Sequence, residues 1–469
     1  MYTSFIGKKF LALWNERMGK NLTAREFFDE VMFPVFFNDE RHFLHVHNSP
    51  FFQRPSKKDM ETGLPEAEVR RLKLHERIET DVPHGGIYVG YAAREITETT
   101  SGQLTNMPTK PSSEDSSEML LSPLTAKFSP MPVSKEEMYA SWIGQGLAVG
   151  IIGGLCWLFS EAELLWKAFE GWKVYRKTLE QTPHLKGCQI ETWNGQWLAH
   201  RLNGGDENDF KIEPERKVNP KTGEVYWAIP TIQWTKLLLT LCRNFPNRVM
   251  TVYAYNLSQT NTTLGFINFY LPEVYRMYEL RDQLFVDRKQ AGLTNEEIEA
   301  LEPYFSFSTA CQRLGAIGLR AIEPDSLRDY IPKKDDKCKN FNLSKKEDYN
   351  RFNLYKLWIC AMINRKEVLD LAKDLAEILL QFEQAGGDRG KTKDERLSEQ
   401  VRTSTNLRVF ADRLSEVVEQ AARIPDFSKE KLTKIRSVVH EAVGMPTDHF
   451  PLFIALLRFE YAYYKAFSN

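Results

Sequence analysis

Cysteine is sparse in this chain and scattered along it. The six are Cys156, Cys188, Cys242, Cys311, Cys338 and Cys360 among 469 residues, and no two form a C-x-x-C pair. A zinc-ribbon spacing and a small disulfide-stapled fold are thereby excluded, and reduced, mostly buried thiols in a cytoplasm are expected. Charge of one sign is not in excess: 62 Lys+Arg against 63 Asp+Glu leave a net charge of -1. That excludes a globally basic coat for nucleic acid but not a local basic groove. There is no Walker A sequence and no G-x-S-x-G elbow. Gly144, Gly146 and Gly150 form G-x-G-x-x-x-G without the strand–turn–helix setting of a dinucleotide site. Lys8 and Lys9 follow the first apolar residues rather than precede them, and no small-residue cleavage pattern follows, so no secretory signal is expected. The lack of a strong catalytic motif favours a binding protein over an enzyme, with no cofactor.

What is present is enough apolar and aromatic material to fold, 42% and 12%. The length suggests two or three folded units. Residues 1–94 read as a mixed α/β region, with Thr23 and Glu26 as a capping box and Pro34 as a break or kink. Residues 95–133 are rich in Ser, Thr and Pro and read as a loop or linker. Ser134 with Glu137 restarts helix, and residues 134–340 form a central α/β region. KVNPKTGEVYWAIP carries hairpin punctuation at Asn219-Pro220 and Thr222-Gly223. A second β-hairpin spans 249–270, its arms Val249 to Tyr255 and Leu264 to Tyr270. Residues 341–469 carry successive apolar stripes, through Val368–Phe382, Leu407–Ala421, Leu432–Ala442 and Pro451–Tyr461. Ser344 with Glu347 is a further capping box. Gly386-Gly387, Pro425 and Gly444 punctuate the stripes, so an antiparallel helical bundle is expected. The fold class is α+β.

The segment Trp142–Phe159 has no charge and the length of a short membrane span. Gln145, five glycines and acidic flanks instead favour a buried helix pressed against a sheet, and no membrane.

Several constellations could carry chemistry. His45 and His47 would share one side of a strand, near His42, as a metal pair does. Arg41–His47 and Arg70–His75 fit the loose R-x4-6-H pattern of some helical ribonucleases, and surface or structural roles are the ordinary alternative. Glu213, Glu215 and Lys217, with Asp206 or Asp209 upstream, imitate half of a metal-dependent nuclease core, though Asn, Gly and Pro around them suit a solvated loop. The stretch NLSQTNTT places Asn256, Gln259, Thr260, Asn261 and Thr263 between the arms of the second hairpin. Amides offer donor and acceptor together and can read a base edge, while hydroxyls can hold phosphates. Arg396, Arg402 and Arg408 stand among acidic neighbours, as a solvated face or a track for a single strand's phosphates.

The opening TSFIGKKFLALWNERMGKNLTAREFFDEVMFPVFF, the stretch YAYNLSQTNTTLGFI and the order of parts together resemble the large subunit of type I CRISPR surveillance complexes (Cascade). The chain is short for that family and lacks the zinc-binding cysteine pairs of some members. The resemblance implies a non-enzymatic subunit at the crRNA 5′ end. Such a subunit reads the PAM duplex, stabilises the R-loop by holding the displaced strand, and docks the helicase-nuclease. Its partners would be crRNA, target double-stranded DNA, the other Cascade subunits and that helicase-nuclease. Gln259 and Asn261 would contact the PAM with Asn256, Thr260 and Thr263 beside them, and Arg396, Arg402 and Arg408 would meet the displaced strand. The rivals are a defence or restriction-type nuclease using Asp209, Glu215 and Lys217 with magnesium, and a protein anchored in a membrane through 142–159.

Overall fold

Helix α1 runs over Tyr2–Met18 in the computed structural model, and Thr23 then opens α2, Ala24–Phe27. The Thr23 hydroxyl accepts from the Glu26 N–H and the Glu26 carboxylate accepts from the Thr23 N–H, so the expected capping box forms. Pro34 interrupts the helix in a specific way. The chain winds as a π-turn over Phe28–Met32, with the Phe33 N–H reaching the Phe28 carbonyl, and α3 follows over Phe33–Phe37. Pro34 thus sits in a first turn, where its missing N–H is least costly. The described residues are 2–37, 44, 57–85, 87–88, 131–132, 134–182, 185, 190–220, 222–256, 263–284, 293–334, 338–343, 346–365, 367–385, 387–424 and 427–467. His42, His45, His47 and the Ser344 cap lie outside them, as does nearly all of the 95–133 segment.

Contacts divide the chain into two units, Met1–Phe269 with Phe307–Ala316, and Tyr270–Ser306 with Ile317–Asn469. In the first, α4 spans Glu66–Gly85, and β1 (Ile87–Tyr88) pairs antiparallel with β2 (Met131–Pro132). Helix α5, Lys135–Gly146, starts at the expected Ser134–Glu137 box. The apolar segment after it is not one helix. It turns into β3 (Val149–Ile151) and β4 (Leu155–Leu158), paired Val149 to Trp157 and Ile151 to Leu155. Gly153 and Gly154, at φ +99° and +71°, make the turn that a β-branched residue could not. Helices α6 (Ala162–Gln181) and α7 (Ile190–Leu202) follow, then the ribbon β5–β6 (Glu215–Val218, Val225–Ala228) at the expected hairpin, then α8 (Trp234–Asn244). Strands β7 (Val249–Asn256) and β8 (Thr263–Tyr270) complete the main sheet, whose order is β3-β4-β7-β8-β9, with β9 the two residues Ala316–Ile317.

An aromatic core holds this unit. Phe10, Phe27, Phe28, Phe36, Trp142, Trp172, Tyr175 and Trp193 are all fully buried. Their rings meet edge-on or tilted, except Tyr175 and Trp193, which stack at 4.4 Å.

The second unit contains α9 (Leu271–Leu284), α10 (Lys346–Ile363), α11 (Glu367–Ala385), α12 (Gly387–Arg402), α13 (Leu407–Ala421), α14 (Lys429–Val443) and α15 (Phe450–Phe467). The expected stripes are the buried ones: Val368, Ala372, Leu375, Leu379 and Phe382 on α11, Phe410, Leu414 and Val417 on α13, Ile435 and Val438 on α14. Asn406 and Ser428 cap α13 and α14. Helix α11 packs on α12, α14 and α15, giving an antiparallel bundle, and the fold is α+β. The charged run after Ala385 is itself a helix, α12. No helix among the described residues is long and apolar enough to cross a membrane.

The described cysteines are all free thiols, and Cys156, Cys242, Cys311 and Cys360 are buried. Burial pushes Cys311 and Cys360 up to about 12, so both remain protonated at pH 8. Alkylation at pH 8 followed by peptide mass mapping is therefore expected to label Cys338 well before these two. Equal labelling would contradict the packing of α10 around Cys360.

Candidate nucleic-acid interface

Strands β7 and β8 are hydrogen-bonded neighbours joined by only six residues, too few for a parallel crossover, so they form a hairpin. Its arms agree with the sequence expectation to within one residue. The pleat sends Met250, Val252, Ala254, Ile267 and Phe269 into the core. The other face is open at its start: Val249 is 54% exposed, Phe266 59%, and Thr251 and Asn268 are exposed beside them. The Thr251 hydroxyl donates to Asn268 Oδ1 at 2.8 Å across the strands.

Further along this face, α1 covers the sheet. Tyr253 is buried under Tyr2, at 5.3 Å, and Phe266, at 5.1 Å. Tyr2 in turn stacks on Phe5, 5.8 Å away, and meets Phe266 edge-on at 4.9 Å. Burial raises the Tyr2 hydroxyl above its ordinary value, against a hydrogen bond with Ser160. Tyr255 is fully enclosed. Burial first, then Cys156, Glu191 and Tyr253 nearby, push its phenol well up, and a hydrogen bond with Gln145 opposes them. The outcome is a rigid, aromatic-backed root carrying exposed rings (Phe5, Phe266), an amide (Asn268) and a hydroxyl (Thr251). Such groups can stack on bases and bond their edges.

Asn256 ends β7, opposite Leu155 of β4, and Thr263 begins β8. Gln259, Thr260 and Asn261 lie outside the described residues.

The bundle arginines differ from one another. Arg396 and Arg408 are exposed. Arg402 is engaged inside the bundle: its guanidinium lies 3.6 Å over the Tyr461 ring and 3.5 Å from Glu383, and its Nε donates to Ser398 Oγ at 3.4 Å. The Tyr461 hydroxyl donates to the other Glu383 oxygen at 2.6 Å, and burial raises its pKa.

No family model, curated protein or solved structure matches the chain.

The remaining sequence candidates have local partners. Arg70 is 1% exposed, against the Phe37 ring and Glu66, so it cannot meet a phosphate where it stands. His75 bridges the Tyr139 hydroxyl at Nδ1 and Asp29 at Nε2, 2.8 Å away, pinning α4 to the π-turn and α5. Asp209 binds His200 at 2.9 Å, and the Asp206 N–H donating to it holds its carboxylate below the ordinary range. Glu215 pairs with Lys217 on β5 at 3.2 Å. Among the described residues no group of three His, Cys, Asp or Glu could hold a metal ion. Sequence reasoning missed Phe5, Thr251, Phe266 and Asn268. Alternation along the arms was the available signal, but it does not say which half of the face α1 covers.

Proposed function

We propose that this chain is a non-catalytic large subunit of a crRNA-guided, Cascade-type DNA surveillance complex in the cytoplasm. In this reading the β7–β8 hairpin contacts the PAM duplex, the bundle holds the displaced strand, and the helicase-nuclease docks on the assembled complex. The observation that carries it is the hairpin. Two strands of 8 residues, rooted in the aromatic core, frame the Asn-, Gln- and Thr-rich stretch, and at the base of the hairpin, away from that stretch, they expose Thr251 and Asn268. The protein reads a short duplex element while guide pairing supplies the remaining specificity. Arg396 and Arg408 are the direct phosphate contacts, and Arg402 positions α12 through Glu383 and Tyr461.

The test is purification of tagged protein from its native operon with sequencing of bound RNA. A uniform crRNA with backbone subunits supports the reading. A lone chain without RNA overturns it, as does magnesium-dependent DNA cleavage that Glu215→Gln abolishes. In the assembled complex, Gln259→Ala or Asn261→Ala is expected to weaken PAM-duplex binding about tenfold while leaving binding to PAM-less DNA unchanged. Arg396→Ala and Arg408→Ala are expected to lower affinity for any DNA sequence and to flatten its salt dependence. A filter-binding titration at several salt concentrations separates the two patterns.

A further inference from the structure

The ribbon β5–β6 forms a two-stranded sheet of its own in the first unit. All of β5, Glu215, Arg216, Lys217 and Val218, is exposed. On β6, Val225 is 44% exposed and Trp227 39%. Two short strands alone are marginal in water, and a further strand stabilises them. The two edges differ. The outer edge of β6 meets Leu185, which bridges Trp227 in parallel. The outer edge of β5 pairs with nothing among the described residues.

The register fixes what that edge offers. The Asn219 N–H donates to the Glu224 carbonyl at 2.9 Å, so these two form a hydrogen-bonded pair. Counting back, Lys217–Tyr226 and Glu215–Ala228 are hydrogen-bonded pairs too, while Val218–Val225 and Arg216–Trp227 are not. The N–H and C=O groups of Arg216 and Val218 therefore point outward.

The charges then select a partner strand. Antiparallel pairing of β5 with a second β5 has few registers. Centred on Lys217 or on Glu215, it sets that charge against its own copy. Centred on Val218, it places Arg216 against Pro220, which has no N–H to give. Centred on Arg216, it sets Glu215 against Lys217 of the second copy, twice over. These are non-hydrogen-bonded positions, where facing residues lie closest, about 4.5 Å between Cα atoms. Glu215 and Lys217 are already 3.2 Å apart within one chain, so the four charges alternate in sign around a quartet. The cost is Arg216 facing its copy, about 5.5 Å between Cα atoms, with long exposed stems that turn into water.

We propose that this chain self-associates through β5. Two copies join edge to edge, antiparallel and centred on Arg216, in a four-stranded sheet of order β6-β5-β5-β6. This surface is independent of the DNA-binding reading.

The test is sedimentation equilibrium of the full chain at low salt. A monomer–dimer equilibrium is expected, weakened by added salt. Lys217→Glu turns both contacts into carboxylate pairs and is expected to weaken dimerisation about tenfold or more. The double variant Glu215→Lys/Lys217→Glu restores opposite charges in the same register and is expected to recover the dimer. Arg216→Thr removes the like-charged centre and is expected to tighten it. All three side chains are exposed, so the fold is not at stake. A chain that is monomeric at every concentration, a Lys217→Glu dimer as tight as the parent's, or a double variant that does not recover would each overturn the proposal.

Discussion

Gly7→Ala is expected to destabilise the first unit by about 3 kcal/mol or more, at the upper end for a single added methyl. Helices α1 and α5 cross backbone to backbone at this point. A Cβ on Gly7 would lie 1.7 Å from the Ala140 carbonyl oxygen, and one on Gly144 would lie 2.0 Å from that of Thr3. Neither obstacle is a side chain that can swing away. Separating the helices would break the buried Thr3–Ser141 hydrogen bond of 2.8 Å and loosen the aromatic core behind it. Gly144→Ala should therefore behave alike, while Lys9→Ala, exposed on the same helix, should fall within about 0.5 kcal/mol of the parent. Tryptophan fluorescence during urea unfolding reads this unit, since only Trp358 lies in the other. If Gly7→Ala and Lys9→Ala unfold at the same urea concentration, the close crossing is not there.

That crossing shows what the sequence concealed. Small residues in Trp142–Phe159 were legible as a sign of close helix packing, but their partner, Gly7, stands over a hundred residues earlier. The same segment reads as one helix in the sequence, whereas it forms two strands, because fully buried strands carry no polar alternation and look like a continuous apolar run. Gly153-Gly154, at the turn, was the available clue. Where signals are local, sequence and structure agree: the Thr23 and Ser134 capping boxes, the arms of β7–β8, and the stripes of α11, α13 and α14. Functional groupings are the opposite case. Arg402 reads as one cation in a mixed face until Glu383 and Tyr461, from two other helices, close on it.

Lys356→Met is expected to cost the second unit about 3–5 kcal/mol, because it leaves a carboxylate buried without its counter-ion. Lys356 Nζ lies 2.6 Å from Glu460 Oε1, with side chains only 13% and 3% exposed. Most of that cost is desolvation of Glu460, not loss of attraction, so the effect should reverse when the charge is removed too. Lys356→Met/Glu460→Leu, of similar volume and without charge, should recover most of the stability. Hydrogen exchange of the amides in α10 and α15 reports it: protection drops about a hundredfold or more in the single variant and returns in the double. Unchanged protection in Lys356→Met would mean that water reaches Glu460 and the pair is not buried. The pair joins α10 to α15, so its loss should be felt in both helices.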